Sequence, residues 1–198
     1  MRTFVLLTAL MSFFGNLSAQ GGLSPKTKNT LADWKQKNEI NYNSFISDEV
    51  YVKALIGLNG TENLIDANTK KVEGISSTDA GELARAHRVD GIQVTYSVLA
   101  AAAADAGVPA YTDDLPVKLK NAVLIFKQGG KVLQSGLVES YINAGSTNVN
   151  ERYTEVFPFA LSNNTPLEID IKFPPNGDAD ANNFHYVQVK LRTIALDA

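Results

Sequence analysis

Residues 167–173 read Leu-Glu-Ile-Asp-Ile-Lys-Phe, and this short stretch decides the fold class. Apolar side chains at every second position alternate with charged ones, and a period of two gives a β-strand one apolar face and one polar face. Residues 184–195 (FHYVQVKLRTIA) repeat the alternation, with Val187, Val189 and Leu191 on one side. One-sided alternation is typical of antiparallel sheets that bury one face against a core.

The rest of the second half reads as further strands, separated by turns rich in Gly, Asn, Asp and Pro. Residues 117–127 and 131–142 flank a Gly-Gly pair at 129–130, which predicts a hairpin with a tight turn. Residues 153–161 contain Pro158, which has no N–H to donate, so this strand is expected at a sheet edge or a bulge. Two earlier segments are β-rich as well: residues 42–58 and 88–99.

These strand candidates follow one another without the long helices that a parallel α/β sheet requires. The sequence therefore predicts a mainly β fold, an antiparallel β-sandwich or jelly roll with one or two short helices and an N-terminal arm. The helices are expected at residues 30–39 and 76–88. The alternation predicts these buried side chains: Val123, Ile125, Leu133, Leu137, Ile169, Ile171, Val187, Val189 and Leu191, with Trp34 packed as well.

Residues 1–20 have the composition of a secretory signal peptide. A basic start precedes the apolar run at residues 4–14, and small residues follow, which predicts cleavage after Ala19. The Ser-Ala-Gln at residues 18–20 resembles the ending of signal peptides in exported Bacteroidetes proteins. The alternative is an amphipathic or buried N-terminal helix. The run is too short to span a bilayer, but a retained segment would offer a membrane contact.

Composition divides the chain and excludes several classes of function. Residues 1–29 form the signal-like segment and linker (an arm if it is not cleaved), and residues 30–198 form a single β-rich domain. Eighteen Lys and Arg against 21 Asp and Glu give a net charge of −3, which argues against nucleic-acid binding through bulk positive charge. The chain has no cysteine, so disulfides, thiolate nucleophiles and Cys-ligated metals are excluded.

No pattern of catalytic residues is present. His87 and His185 are the only imidazoles, they are far apart in sequence, and neither has a second metal ligand four residues away. Both are expected to be surface or half-buried side chains. Neither a Gly-x-Ser-x-Gly nucleophile elbow nor a Gly-rich phosphate loop occurs. The sequence therefore predicts no catalytic residues and no cofactor.

One loop has the spacing of a cation site. Asp178, Asp180 and Asn182 occupy alternate positions, as in the opening of a calcium-binding loop, where oxygen ligands suit a hard cation. The sixth position is Asn183 instead of glycine, and the twelfth is Val189 instead of glutamate. The alternative interpretation is a solvated loop between two strands.

Four lysines fall on the predicted hairpin. Lys118, Lys120, Lys127 and Lys131 form a basic stripe that would suit single-stranded nucleic acid if aromatic side chains were interleaved. Only Phe126 is aromatic there, and lysines on solvent-facing strands commonly prevent edge-to-edge aggregation. The pattern therefore gives no specific nucleic-acid signal.

A run of strand-like segments extends through the C-terminal half. It starts with YTDDLP at residues 111–116 and VKLKNAVLIFKQGGKVL at 117–133, and it continues with NNTPLEIDIKFPP at 163–175 and HYVQVKLRTIAL at 185–196. This pattern resembles the jelly-roll virion proteins of tailless icosahedral bacteriophages. It implies a capsid β-barrel with partners among its own copies or other structural proteins, and a location in the virion.

Three functions are therefore compatible with the sequence. The first is a non-enzymatic structural protein that assembles through its faces and edges, most like a virion subunit. The second is an exported periplasmic, cell-surface or secreted β-sandwich that binds a ligand or a protein partner. The third is a secreted hydrolase with an unrecognised carboxylate pair.

Overall fold

The computed structural model describes residues 45–142, 152–175 and 182–196. These residues include a short helix α1, Val117–Lys120, and a 3₁₀ helix, Val138–Tyr141. The strands in chain order are β1 Phe45–Ile56, β2 Thr61–Ile65, β3 His87–Leu99, β4 Val123–Gln128, β5 Lys131–Leu137, β6 Thr154–Leu161, β7 Leu167–Lys172 and β8 Phe184–Leu196.

The strands form two four-stranded sheets, in the orders β1-β8-β3-β6 and β2-β7-β4-β5. Every neighbouring pair of strands is antiparallel. Apart from the β4–β5 hairpin, which lies within one sheet, sequential strands alternate between the two sheets in the manner of an eight-stranded jelly roll, which is built from two Greek keys. The prediction of a mainly β, antiparallel sandwich or jelly roll is therefore confirmed.

The core lies between the inner faces of the two sheets. In β8, at the centre of the first sheet, Val187, Val189 and Leu191 are completely buried. In β7, Ile169 and Ile171 lie on the inner face of the second sheet and are buried as well. All five side chains were predicted to be buried from the alternation, and the structure confirms this for each of them.

The prediction was wrong for the outer part of the hairpin. Val123 and Ile125 are half-buried and Leu137 is 46% exposed, because Leu124 and Phe126 are the β4 side chains that face the core. Residues 123–126 read Val-Leu-Ile-Phe, so both faces of β4 are apolar and the alternation cannot choose between them.

The hairpin itself is present, with one irregularity. Gly129 and Gly130 both have positive φ values of 57° and 74°, as a tight turn between twisted strands requires. Leu133 was predicted to be buried but is only partly buried. The pairing shifts by one residue between Phe126 and Lys127, so Leu133 forms a bulge in β5.

Two further local predictions were wrong. A helix was predicted over residues 76–88, but residues 76–86 form turns and isolated bridges, and 87–88 begin β3. Ala80 and Gly81 adopt positive φ values of 49° and 75°, which a helix does not allow. Residues 117–127 were expected to be one strand, but the first four form α1. Pro116 precedes this turn of helix, a position that suits its fixed φ, and Leu119 anchors the helix in the core.

Pro158 lies on an edge strand beside a bulge, as its missing N–H predicted. It belongs to β6, which is an edge strand of the first sheet, and the β3–β6 register shifts beside it. A missing N–H on an edge strand leaves the sheet's internal ladder intact.

Several predictions fall outside the described residues. These are the signal-like segment and linker at 1–29, the helix at 30–39 with Trp34, and the candidate ligands Asp178 and Asp180. Within the described ranges, no helix has the length and apolar character needed to cross a membrane.

Candidate functional site

A buried ion pair lies on the outer face of the first sheet. Arg192 Nε is 2.8 Å from Asp90 Oδ1, and Arg192 Nη2 is 3.2 Å from Asp90 Oδ2. The side chains of Asp90 and Arg192 are only 3% and 11% exposed. Asp90 is an extra residue in β3, because the register shifts between Val89 and Gly91. The resulting bulge directs the carboxylate toward the guanidinium on β8, where the two groups form a bidentate, charge-assisted contact.

Tyr153 extends this pair across the sheet. Its hydroxyl donates a hydrogen bond to the carboxylate of Glu49 on β1, and the Arg192 guanidinium lies 5.6 Å from the centre of its ring. Burial is the main reason that the pKa of Tyr153 is raised, and the Glu49 carboxylate raises it further. Tyr153 therefore keeps its proton and acts as a neutral donor.

Gly91 makes room for this arrangement. A Cβ atom at Gly91 would lie 3.0 Å from Tyr153 Cβ and 3.2 Å from Arg192 Nε. Lys190 completes the group, with its Nζ 3.5 Å from Glu49 Oε2. The resulting polar cluster (Glu49, Asp90, Tyr153, Lys190 and Arg192) joins β1, β8, β3 and the residue before β6. Its charges are satisfied by one another, so its chemical effect is to hold these strands together.

A cleft of about 490 Å³ opens beside the first part of β1. Its wall comes from the connection between β2 and β3, which carries Lys71, Asp79, Glu82 and Arg85 into the lining. The volume lies in the range of small-molecule sites, which are roughly 300–1,000 Å³. Side chains of both charges surround the cleft, so it suits a polar ligand with groups of both signs.

The connection that forms this wall starts with a turn at Asp66. Asp66 Oδ1 accepts a hydrogen bond of 2.8 Å from the N–H of Asn68, and the N–H of Asp66 donates to Thr69 Oγ1 at 2.9 Å. The hydrogen bond from the Asn68 N–H is the main cause that lowers the pKa of Asp66 below its ordinary value of 3.8.

This turn predicts a pH-dependent contribution to stability. An Asp66→Asn variant is expected to lose less than about 1 kcal/mol of unfolding free energy at neutral pH, because the group is largely solvated. A carboxyl whose pKa is lowered by folding stabilises the protein above its unfolded pKa, and this stability is lost as the pH falls through its folded pKa. Urea unfolding of the variant and the wild type should therefore converge as the pH falls below the folded pKa of Asp66.

Asp114→Asn is the matched control for this experiment. Asp114 is exposed, and no hydrogen bond to its side chain is seen within the described part of the chain. A difference between wild type and Asp66→Asn that persists unchanged at low pH would contradict the role of the Asp66 charge.

The two histidines lie at opposite ends of the first sheet. His87 pairs with Ala195 at one end, and His185 pairs with Val98 at the other. They are 4% and 5% exposed, so the expectation of surface or half-buried imidazoles was wrong. Both occupy the inner side of their strands, and His185 Nδ1 lies 2.5 Å from the Tyr96 hydroxyl. Across the described ranges, no group of three or more His, Asp or Glu side chains is arranged to hold a metal ion.

The structure does not assemble the other candidate sites. Of the calcium candidates, Asn182 alone is described, and it is exposed in the turn before β8. The basic stripe is wrong, because Lys118 and Lys120 lie on α1 while Lys127 and Lys131 lie on the hairpin. Lys127 also forms an ion pair with Asp170, so its positive charge is partly neutralised and does not add to a basic surface.

Large exposed apolar side chains are the surface feature that the sequence analysis missed. Phe157 on β6 is 80% exposed, Val117 on α1 71%, and Leu55 on β1 54%. On β5, Val132 is 51% exposed and Leu137 46%. A signal was available in the sequence, because residues 132–137 contain no charged side chain and 123–126 are apolar on both faces.

The fold and the site described above define a jelly-roll β-sandwich, and comparison with known proteins found no relative of it. No protein-family model, no curated protein and no solved structure matches the chain.

Proposed function

We propose that this protein is a non-enzymatic structural subunit that assembles with copies of itself, most like a subunit of a virion. The strand order supports this proposal, because eight-stranded jelly rolls are used by viral capsid domains. The same fold also serves lectins and cupins, so the fold alone does not choose the function. The choice rests on the surface of the domain.

The main support for assembly is that exposed apolar side chains occur on several helices and strands. Phe157 lies on β6, Val117 on α1, Leu55 on β1, and Val132 with Leu137 on β5. Exposed apolar side chains mark interaction sites where they lie together in a contiguous patch. A subunit that contacts neighbours on several sides needs them on several elements, as here.

The size of the purified full chain tests this proposal. Light scattering after size exclusion, followed by electron microscopy, should show symmetric assemblies many times heavier than the 21.4 kDa chain. Phe157→Asp should shift the distribution toward monomer, because a charge would replace the most exposed of these apolar side chains. A monomer at every concentration tested would overturn the proposal.

The cleft favours a second candidate function, an exported β-sandwich that binds a ligand or a protein partner. Its volume of about 490 Å³ suits a small polar molecule. Intact mass of the native protein discriminates the two functions, because an exported protein would start at Gln20 and an assembly subunit with an N-terminal arm would start at Met1. A monomer that starts at Gln20 would establish the second function over the first.

A further inference from the structure

Three of the four sheet edges are covered or shortened. The N–H of Lys53 in β1 donates to the Ile75 carbonyl at 2.8 Å, and the N–H of Ser77 donates to the Tyr51 carbonyl at 3.0 Å. In β6, Pro158 and a register shift interrupt the edge. In the second sheet, β2 has only 5 residues. Short strands, proline and bulges are the devices that keep sheet edges from pairing with other chains.

The edge at β5 is the open one. This strand pairs with β4 on one side, and within the described residues no strand pairs with its other side. Its bulge is at Leu133, and the pairing with β4 is regular from Gln134 to Leu137. Residues 132–137 carry no charge, and both Val132 and Leu137 are about half exposed. An uncharged edge with exposed apolar side chains is a template for another strand.

We propose that β5 pairs in antiparallel fashion with β5 of a second copy of this chain. This inference rests on the proposed function and names the surface through which two copies meet. When a strand pairs with itself across a two-fold axis, the contact is isologous and the two strands run antiparallel. The result is one continuous eight-stranded sheet formed by the second sheets of both copies.

Charge complementarity favours a second copy over an unrelated peptide. A two-fold axis at Ser135 brings the Lys131 end of one β5 strand beside the Glu139 end of the other, and the symmetry makes this contact twice. Both side chains are exposed, and Glu139 directly follows the strand in the 3₁₀ helix. The same axis sets Leu137 of one copy opposite Leu133 of the other.

A single cysteine tests this pairing directly. The chain has no cysteine, so Ser135→Cys introduces the only thiol. Directly opposed residues of antiparallel strands have Cα atoms about 4.5–5.5 Å apart, which falls within the range of a disulfide. Mild oxidation of the assembled full chain should convert most of it to a covalent dimer on a denaturing gel.

Asn59→Cys is the control for this cross-link. Asn59 is exposed in the turn between β1 and β2, so a thiol there is accessible to the oxidant but lies away from β5. The control should remain monomeric under the same oxidation. Equal cross-linking of both variants would show random collision and would overturn the proposed pairing.

Charge substitution gives a second measurement. Val132→Lys combined with Leu137→Lys should weaken dimerisation at least about tenfold, because lysines on an edge strand oppose its pairing with another strand. Val108→Lys, which also removes an exposed valine but lies in the connection between β3 and α1, should leave the β5 contact unchanged. If the wild type assembles and the double variant assembles equally well, the β5 contact is wrong while the proposed function stands. A wild type that stays monomeric would contradict both the β5 contact and the proposed function.

Discussion

Replacing Arg192 by methionine is expected to lower the free energy of unfolding by about 3–5 kcal/mol, the usual cost of removing one partner from a buried ion pair. The variant leaves the Asp90 carboxylate 3% exposed and without the guanidinium 2.8 Å away. It also removes the cation that lies over the Tyr153 ring. Urea unfolding at neutral pH, followed by circular dichroism, measures the change.

Two further variants test the cause of this loss. Adding Asp90→Asn to Arg192→Met should recover a large part of the stability, because the double variant no longer buries a carboxylate that has lost its guanidinium. Lys70→Met removes a pair whose side chains are 76% and 60% exposed, with Lys70 Nζ 3.7 Å from Asp79 Oδ1. Its effect should stay within about 0.5 kcal/mol. An Arg192→Met variant that matches Lys70→Met would contradict the account of the polar cluster.

Gly81→Ala is expected to cost about 3 kcal/mol or more, because it combines left-handed backbone strain with a lost hydrogen bond. Gly81 has a φ of 75°, and a Cβ atom there would lie 2.2 Å from the carbonyl oxygen of Leu167. The backbone must move to relieve this overlap. That movement breaks the hydrogen bond from the Leu167 N–H to the Gly81 carbonyl, which is 2.8 Å long.

Gly74→Ala separates the overlap from the backbone strain. Gly74 has a φ of 78°, close to that of Gly81, but no atom lies within 4 Å of the position that its Cβ would take. This variant should therefore lose about 1 kcal/mol, the strain alone. Thermal unfolding of both variants measures the difference. Equal losses for the two would show that the contact between Gly81 and β7 contributes nothing.

The sequence predicted the strands whose two faces differ in polarity. In β7 and β8, charged or polar side chains alternate with Ile169, Ile171, Val187 and Val189, so one register alone buries the apolar set. In β4 the residues at 123–126 are apolar throughout, and only the three-dimensional packing selects the buried face. This explains why Val123 and Ile125 were assigned to the wrong side.

The polar cluster could not be predicted from the sequence. Asp90 and Arg192 are separated by 102 positions, and they meet because a bulge at Asp90 rotates its carboxylate toward β8. No local pattern marks this bulge, and the space over Gly91 that admits Tyr153 is a property of the assembled sheet. The β5 edge differs in this respect, since the absence of charge from 132 to 137 is visible in the sequence.

The position of β8 at the centre of the first sheet has a consequence for how the chain folds. The pairing of Phe45 with Leu196 and of Ile56 with His185 joins the first described strand to the last. During synthesis β1 cannot join the first sheet until β8 has been made, because β8 lies between β1 and β3. Contacts of such high sequence separation make folding slow, on the order of milliseconds to seconds. Until the last strand emerges, the apolar face of β1 is exposed to other nascent chains, so a truncation within β8 should direct the protein to aggregates.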